Sequence, residues 1–220
     1  MNNNRQSLFK GDIFIKTKNL IKCKNERPDP LFLEHEKQGT LKMPSKAATE
    51  RLTHVVNCYD FFDRIFPECG FFDLTDGIYY SDPSISYEQA QKNQINWILD
   101  NADCGKKSRI LDIGCGYGTL LAAAQKRGAE AVGITISVPQ LQYCVDKGLN
   151  VHLLDYLDID SAWNGYFDAV IANGSIEHFV QPQDVLDGLA DSIYRELFAI
   201  VHRIISPASP VRRFITTTIH

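Results

Sequence analysis

The run Arg109-Ile110-Leu111-Asp112-Ile113-Gly114-Cys115-Gly116-Tyr117-Gly118-Thr119 constrains this chain more than any other stretch. It reads as a short buried strand, a glycine turn, and a helix that begins near Thr119. Gly114 lets the chain leave the strand tightly, because a residue without Cβ tolerates positive φ. Gly116 and Gly118 allow the backbone to approach a ligand and the helix to pack on the strand. The free amides at the helix start offer a partly positive surface to a carboxylate or phosphate. Thr119 stands where a dinucleotide fingerprint would place its third glycine, which argues against that fingerprint.

From Arg109 the pattern alternates strand and helix. The strands are predicted at 109–113, 130–134, 151–154, 167–172 and 213–218. The helix after the first strand ends at Arg127 before Gly128. Ser137, with Gln140 three residues on, predicts a capping box for the next helix, as Ser86 and Gln89 do earlier. A long helical region over 183–205 is expected to break near Gly188. This order implies an α/β fold, Rossmann-like, with a parallel sheet and helices on both faces. Ligands in such sheets bind at the carboxyl ends of the strands. The glycine turn, Thr135, Asp155 and Asn173 all fall at such ends.

Upstream, 49–66 reads as a helix whose broad apolar face carries Leu52, Val55, Val56, Tyr59, Phe62, Ile65 and Phe66, stopped by Pro67. An aromatic, turn-rich stretch follows at 71–80, then a helix to about Asn101 with Ile95, Ile98 and Leu99 inward. The first fifty residues are broken by Pro28, Pro30 and Pro44 and read as an arm. Three regions are expected: a basic arm at 1–50, a helical cap at 51–105 and the α/β domain at 106–220. Charge divides the same way. Residues 1–51 hold 11 Lys and Arg against 6 Asp and Glu, and the remainder holds 12 against 21. An acidic body argues against nucleic acid as partner, while the basic arm is a candidate for peripheral contact with anionic lipid. No signal-peptide core opens the chain. The six cysteines include no Cys-x-x-Cys pair, so we expect reduced thiols, a cytoplasmic setting and no metal.

The strand-end residues carry chemistry. Asp112 can orient the glycine loop or pair with the amino group of an amino-acid-like ligand. After the second strand no acid is available for ribose hydroxyls, so Thr135, Ser137 and Gln140 are the candidates there. Asp155 can accept from an adenine amino group, with Tyr156 against the ring. After the fourth strand, Asn173-Gly174-Ser175-Ile176-Glu177-His178-Phe179 offers Glu177 and His178 as an acid–base or positioning pair.

Leu-Asp-Ile-Gly-Cys-Gly-Tyr-Gly, Gly-Ile-Thr-Ile-Ser-x-x-Gln, Asp155-Tyr156 and Ile176-Glu177-His178-Phe179 together resemble the cyclopropane-fatty-acid synthase branch of class I S-adenosylmethionine-dependent methyltransferases. Asp82-Pro83-Ser84 and Tyr87-Glu88-Gln89-Ala90-Gln91 are similar to the segment before that family's first strand. The likeness covers roughly residues 54–220. It implies a class I methyltransferase fold with S-adenosyl-L-methionine as cofactor and S-adenosyl-L-homocysteine as product. It places Gly114, Cys115 and Gly116 on the methionine part, Thr135 to Gln140 near the ribose, and Asp155 and Tyr156 near the adenine. Glu177 matches the family's glutamate at a bicarbonate-binding acceptor site.

The chain departs from the family at three places. The family's Tyr-Ser-Cys falls on Thr75-Asp76-Gly77, or with a gap on Tyr80-Ser81-Asp82, and either way the cysteine is absent. The family's histidine in the fifth strand falls on Thr217. The last strands of the family's sheet are missing after His220, which leaves strand five as an open edge available to an oligomer. The expected reaction is methyl transfer to a carbon or nitrogen of a lipid-like or small-molecule acceptor, with Glu177 stabilising the acceptor or taking its proton. The alternative is a non-catalytic cofactor-binding protein, or a fragment that needs a partner to complete the sheet.

Overall fold

A computed structural model of the chain describes residues 53, 55, 57–59, 61–62, 65–70 and 74–218. The basic arm, Leu52, Val56 and residues 71–73 lie outside them, and with them the expectations made there. The described residues between 53 and 65 are helical, and a single 3-10 turn follows at Pro67–Cys69. Phe62 stacks on Phe66 at 4.9 Å. Ile65, expected inward, is exposed.

Helix α1 (Tyr87–Asn101) starts at Ser86, whose hydroxyl accepts from the Gln89 amide. The Gln89 side chain bonds Asn93 instead of returning to the cap, so only half of the expected box forms. Ala90, Gln91, Gln94, Ile95, Ile98 and Leu99 form its buried face. That face pins the segment before it. The Tyr87 hydroxyl and Gln91 amide both donate to the Thr75 carbonyl, and Asn93 donates to that of Ile78. Gly77 packs so closely on Ala90 that a Cβ there would stand 2.4 Å from the alanine methyl.

The α/β body runs β1 (Arg109–Ile113), α2 (Thr119–Lys126), β2 (Glu130–Thr135), α3 (Val138–Asp146), β3 (Asn150–Leu153), β4 (Ala169–Asn173), α4 (Pro182–Leu186), α5 (Ala190–Ile204) and β5 (Arg213–Thr217). All pairings are parallel, in the order β3-β2-β1-β4-β5. Successive residues of each strand face opposite sides of a sheet, so two cores result. Ile110, Ala131, Ala169 and Ile171 pack with α1 and α2. Leu111, Val132, Val170 and Ala172 pack with α5 and with Trp163 and Phe167. Burying each large aliphatic side chain contributes about 1.5–3 kcal/mol.

Most predicted boundaries move by one residue, for local reasons. β2 reaches Thr135 because that residue pairs with Leu153. β4 begins two residues later than predicted. Phe167 donates its amide to Ile204 and accepts from Ser206, so its backbone is committed to the connection after α5. Asp168 turns its carboxylate back to the Arg109 amide at 2.8 Å. The helical region does break at Gly188, whose φ is +71°. Gly188 lies between α4 and α5 rather than within one helix. Among the described residues no helix is long and apolar enough to cross a membrane.

Candidate functional site

β1 and β4 lie side by side at the centre, and the chain order reverses between them. At their carboxyl ends opens a cavity of about 540 Å³. Its walls come from the helical residues near Tyr59 and Phe62, the pinned segment at Leu74–Asp76, α1, and the loops after all five strands. The structure brings Asp112, Gly114, Cys115, Gly116, Thr135, Ser137, Gln140, Asp155, Tyr156, Asn173 and Glu177 to this one cavity. Gly118 is the exception. It caps α2 at φ +76° and lies off the cavity wall, where a Cβ would stand 2.4 Å from Leu149.

Gly114 and Gly116 differ in what surrounds them. Gly114 has φ +76°, and a Cβ there would meet the Ser175 Cβ at 2.7 Å. Ser175 is buried and donates to the Ile113 carbonyl at 2.7 Å, so the loop after β4 is bolted to the glycine turn. Gly116 has φ +54° and open space where a Cβ would be. Tyr117 and Thr119, at the start of α2, also line the cavity and bring the helix's positive end to it.

Behind the loop, Cys115 and Cys144 share the Gly116 carbonyl, at 3.9 and 3.4 Å. The bond to Cys144, together with burial, pushes the Cys115 thiol well above its ordinary value, and the same bond pulls Cys144 below it. Gly133 makes room for Cys115, since a Cβ on it would stand 2.7 Å from the sulfur.

After β2, Ser137 caps α3 by accepting from the Gln140 amide. The Gln140 carbonyl does not return to the cap as expected; it accepts from the Thr135 hydroxyl at 2.9 Å. The sequence pattern thus builds a polar strand end rather than a closed capping box. Asp155 accepts from the Leu157 amide and opens the turn that carries Tyr156. Tyr156 is buried and stacks on Phe179 at 4.5 Å. Asn173 accepts from Thr217 at 2.6 Å, and the same threonine oxygen accepts from the Gly174 amide. Thr217 therefore ties the ends of β4 and β5 at the position where the resemblance places a histidine.

Glu177 sits in the 3-10 turn Ile176–His178. Both of its carboxylate oxygens are buried without a hydrogen-bond partner among the described residues. His178 pairs with the Tyr59 hydroxyl at 3.0 Å. Two features escaped the sequence reading. Gln94 is 7 % exposed and lines the cavity, and its Oε1 also lacks a partner among the described residues. Its signal was a glutamine on the same face as Ile95, Ile98 and Gln91. The second is where the residues of the two alternative alignments before α1 lie. Thr75 and Asp76 line the cavity, whereas Tyr80 and Ser81 form an exposed turn with φ of 48° and 64°. Gly77, where the ungapped alignment puts the family's cysteine, has no room for a side chain against Ala90.

Residues 47–215 match the family model of mycolic acid cyclopropane synthetase. A probable fatty acid methyltransferase of Mycobacterium tuberculosis is 35% identical over 107 residues, which are 45% of this chain and 24% of the relative. The cyclopropane-fatty-acyl-phospholipid synthase of Escherichia coli K12 is 32% identical over 134 residues, 59% of this chain and 31% of the relative. The chain thus spans a third or less of the length of these relatives. Among solved structures, the cyclopropane synthase MmaA2 of Mycobacterium tuberculosis superposes with a TM-score of 0.52 at 24% identity, covering 67% of this chain and 50% of that one. This last likeness is one of fold, the parallel Rossmann-like sheet of class I methyltransferases.

Proposed function

The chain belongs to the mycolic acid cyclopropane synthetase family, and from that premise we propose that its cavity binds S-adenosyl-L-methionine and directs methyl transfer to an apolar acceptor. The observation that carries this reading is the cavity itself. It gathers eleven residues that local sequence pattern or, for Cys115, the resemblance singled out, at the switch point of a parallel sheet. The residues fit the cofactor. The open space at Gly116 admits a close-lying ligand, and the described walls hold four carboxylates and no lysine or arginine, which suits a cationic group.

When bound, S-adenosyl-L-methionine supplies a methyl group made electrophilic by a positively charged sulfur. Gly114, Cys115 and Gly116, with Asp112 behind them, hold its methionine part. Thr135, Ser137 and Gln140 take the ribose, and Asp155 and Tyr156 take the adenine. The apolar walls exclude water and fix the acceptor, so positioning does most of the catalytic work. Glu177 is the catalytic residue, stabilising the acceptor or taking its proton. Its carboxylate, buried without a hydrogen-bond partner among the described residues, supports that role. We assign residues 106–220 to the cofactor-binding unit, 51–105 to a cap and 1–50 to a basic arm. Association through the edge strand β5 and contact of the arm with anionic lipid belong to the same reading.

Calorimetric titration with S-adenosyl-L-homocysteine, with NAD as control, tests it. Micromolar binding of the former alone is expected. Glu177→Gln should leave that affinity unchanged and lower methyl transfer about 100-fold or more. Binding of NAD but not of S-adenosyl-L-homocysteine would overturn the reading.

A further inference from the structure

Behind the glycine turn lie two thiols that methyl transfer does not use. Cys115 stands in the turn, lines the cavity and is 8 % exposed. Cys144 comes from the last turn of α3 and is wholly buried. The two sulfurs are hydrogen-bonded to each other, and both approach the Gly116 carbonyl, at 3.9 and 3.4 Å. Two glycines leave the space in which they meet. A Cβ on Gly133 would stand 2.7 Å from the Cys115 sulfur, and one on Gly118 would stand 3.0 Å from that of Cys144.

The pair joins the two pieces of backbone that face opposite ends of the cavity's polar side. Cys115 belongs to the glycine turn, whose Gly114 and Cys115 amides both donate to the Ile134 carbonyl. Cys144 belongs to the helix that Ser137 and Gln140 open. Joining the sulfurs would remove both hydrogens, so the Gly116 carbonyl would lose both of its thiol donors. A covalent bond is also far shorter than the hydrogen-bonded contact it replaces, so it draws the turn towards α3. We propose that Cys115 and Cys144 form a reversible disulfide on exposure to peroxide, and that this modification loosens the turn's hold on S-adenosyl-L-methionine. The bond stands independently of the cofactor reading above; its effect on binding rests on that reading.

The bond from Cys115 holds the Cys144 thiol below its ordinary value, so Cys144 loses its proton first. Cys115 then passes its own proton to Cys144 and attacks peroxide entering from the cavity. An S–O bond forms, the O–O bond breaks and hydroxide leaves, which makes Cys115 a sulfenic acid. Cys144, again a thiol, attacks that sulfur. The S–S bond forms, the S–O bond breaks, and the departing hydroxide takes the Cys144 proton as water. The first hydroxide recovers the proton lost at the outset. Two thiols and one peroxide give one disulfide and two waters, with the sulfurs oxidised and the peroxide oxygens reduced by the same electron pair.

Trypsin places Cys115 in peptide 110–126 and Cys144 in peptide 128–147, each without another cysteine. After hydrogen peroxide treatment of the purified chain, non-reducing mass spectrometry should find these peptides joined. Calorimetry should find S-adenosyl-L-homocysteine affinity lowered about tenfold, and dithiothreitol should reverse both changes. Saturating S-adenosyl-L-homocysteine should in turn slow the joining, because the coupling is reciprocal. Cys144→Ser keeps a hydroxyl donor for the Gly116 carbonyl, so it should hold the untreated affinity within about twofold and lose the response to peroxide. Urea denaturation verifies that the variant folds, and mapping of the unaltered chain decides the bond without it. Peptides that stay separate while the exposed Cys58 and Cys69 oxidise would overturn the proposal. So would joined peptides with unchanged affinity, or a Cys144→Ser chain that loses affinity on treatment as the unaltered chain does. If the reduced chain fails to bind S-adenosyl-L-homocysteine while the peptides join and dithiothreitol separates them, the cofactor reading falls and the disulfide stands.

Discussion

Gly114 and Gly116 are two residues apart in one loop, both at positive φ, yet alanine should affect them differently. At either position a Cβ forced into the left-handed region costs about 1–2 kcal/mol. At Gly116 nothing adds to that, because the space around a Cβ is open. At Gly114 the new methyl would lie 2.7 Å from Ser175 Cβ and 3.2 Å from its oxygen. Ser175 cannot retreat without breaking its bond to Ile113. Overpacking of this kind adds about 1–3 kcal/mol. Gly114→Ala should therefore lose about 2–5 kcal/mol and Gly116→Ala about 1–2. Urea unfolding followed by tryptophan fluorescence measures both, since Trp163 is 2 % exposed in the native state. With a slope near 2 kcal/mol/M, the Gly114→Ala midpoint should fall by about 1–2.5 M. Binding should show a separate effect at Gly116, which lines the cavity, so that the added methyl lowers S-adenosyl-L-homocysteine affinity despite the milder loss of stability. Equal destabilisation by the two changes, or a larger loss at Gly116, would refute the reasoning.

Other outcomes follow from the charges and thiols. Partial burial pushes the Asp168 carboxyl up, but bonds from the Arg109 amide and guanidinium and from Ser209 outweigh it and hold the carboxyl below its ordinary value. Its stabilising contribution is thus complete above the unfolded value near about pH 4 and is lost as pH falls through the lower folded value. Asp168→Asn should cost more stability at pH 7 than at pH 3, and a pH-independent difference in unfolding free energy would contradict this. Cys58 and Cys69 are exposed, while Cys104, Cys115 and Cys144 are buried. Peptide mapping after iodoacetamide treatment of the native chain should find the first two alkylated and the last three protected until urea is added. Early labelling of Cys115, whose thiol is held protonated by Cys144 and by burial, would speak against the packing behind the glycine loop.

The strands were legible because each is a short apolar run bounded by glycine or a polar turn, and burial on both faces of a parallel sheet demands that pattern. Boundaries drifted where a backbone group found a partner outside the sheet. Phe167 looks like strand in sequence, but its amide and carbonyl serve Ile204 and Ser206. Side-chain destinations were harder to read than positions. The Ser137 and Gln140 spacing announces a helix start, and only the fold shows that Gln140 turns to Thr135. Gly118 has the sequence context of a ligand-contacting glycine, and only the fold shows that Leu149, thirty-one positions on, packs against it. Gln94 carries no mark in the sequence, because glutamine on a helix is usually solvated. What makes it a site residue is the cavity opposite it, which belongs to other elements.

The cavity's described wall runs from Val55 to Thr218, nearly the whole span of the described chain. Such a wall is finished only when the most distant pairings have formed, and those carry the largest loop-closure entropy. A partly folded chain, with β1 and β2 paired but β5 still loose, would hold the glycine turn and lack the side made by Asn173, Thr217 and Thr218. Ligand binding would then favour the fully folded state over every intermediate, raising apparent stability by RT ln(1 + [L]/Kd). A bound ligand would act as a cooperative fastener of the whole fold, joining the earliest described helical turn to the last strand.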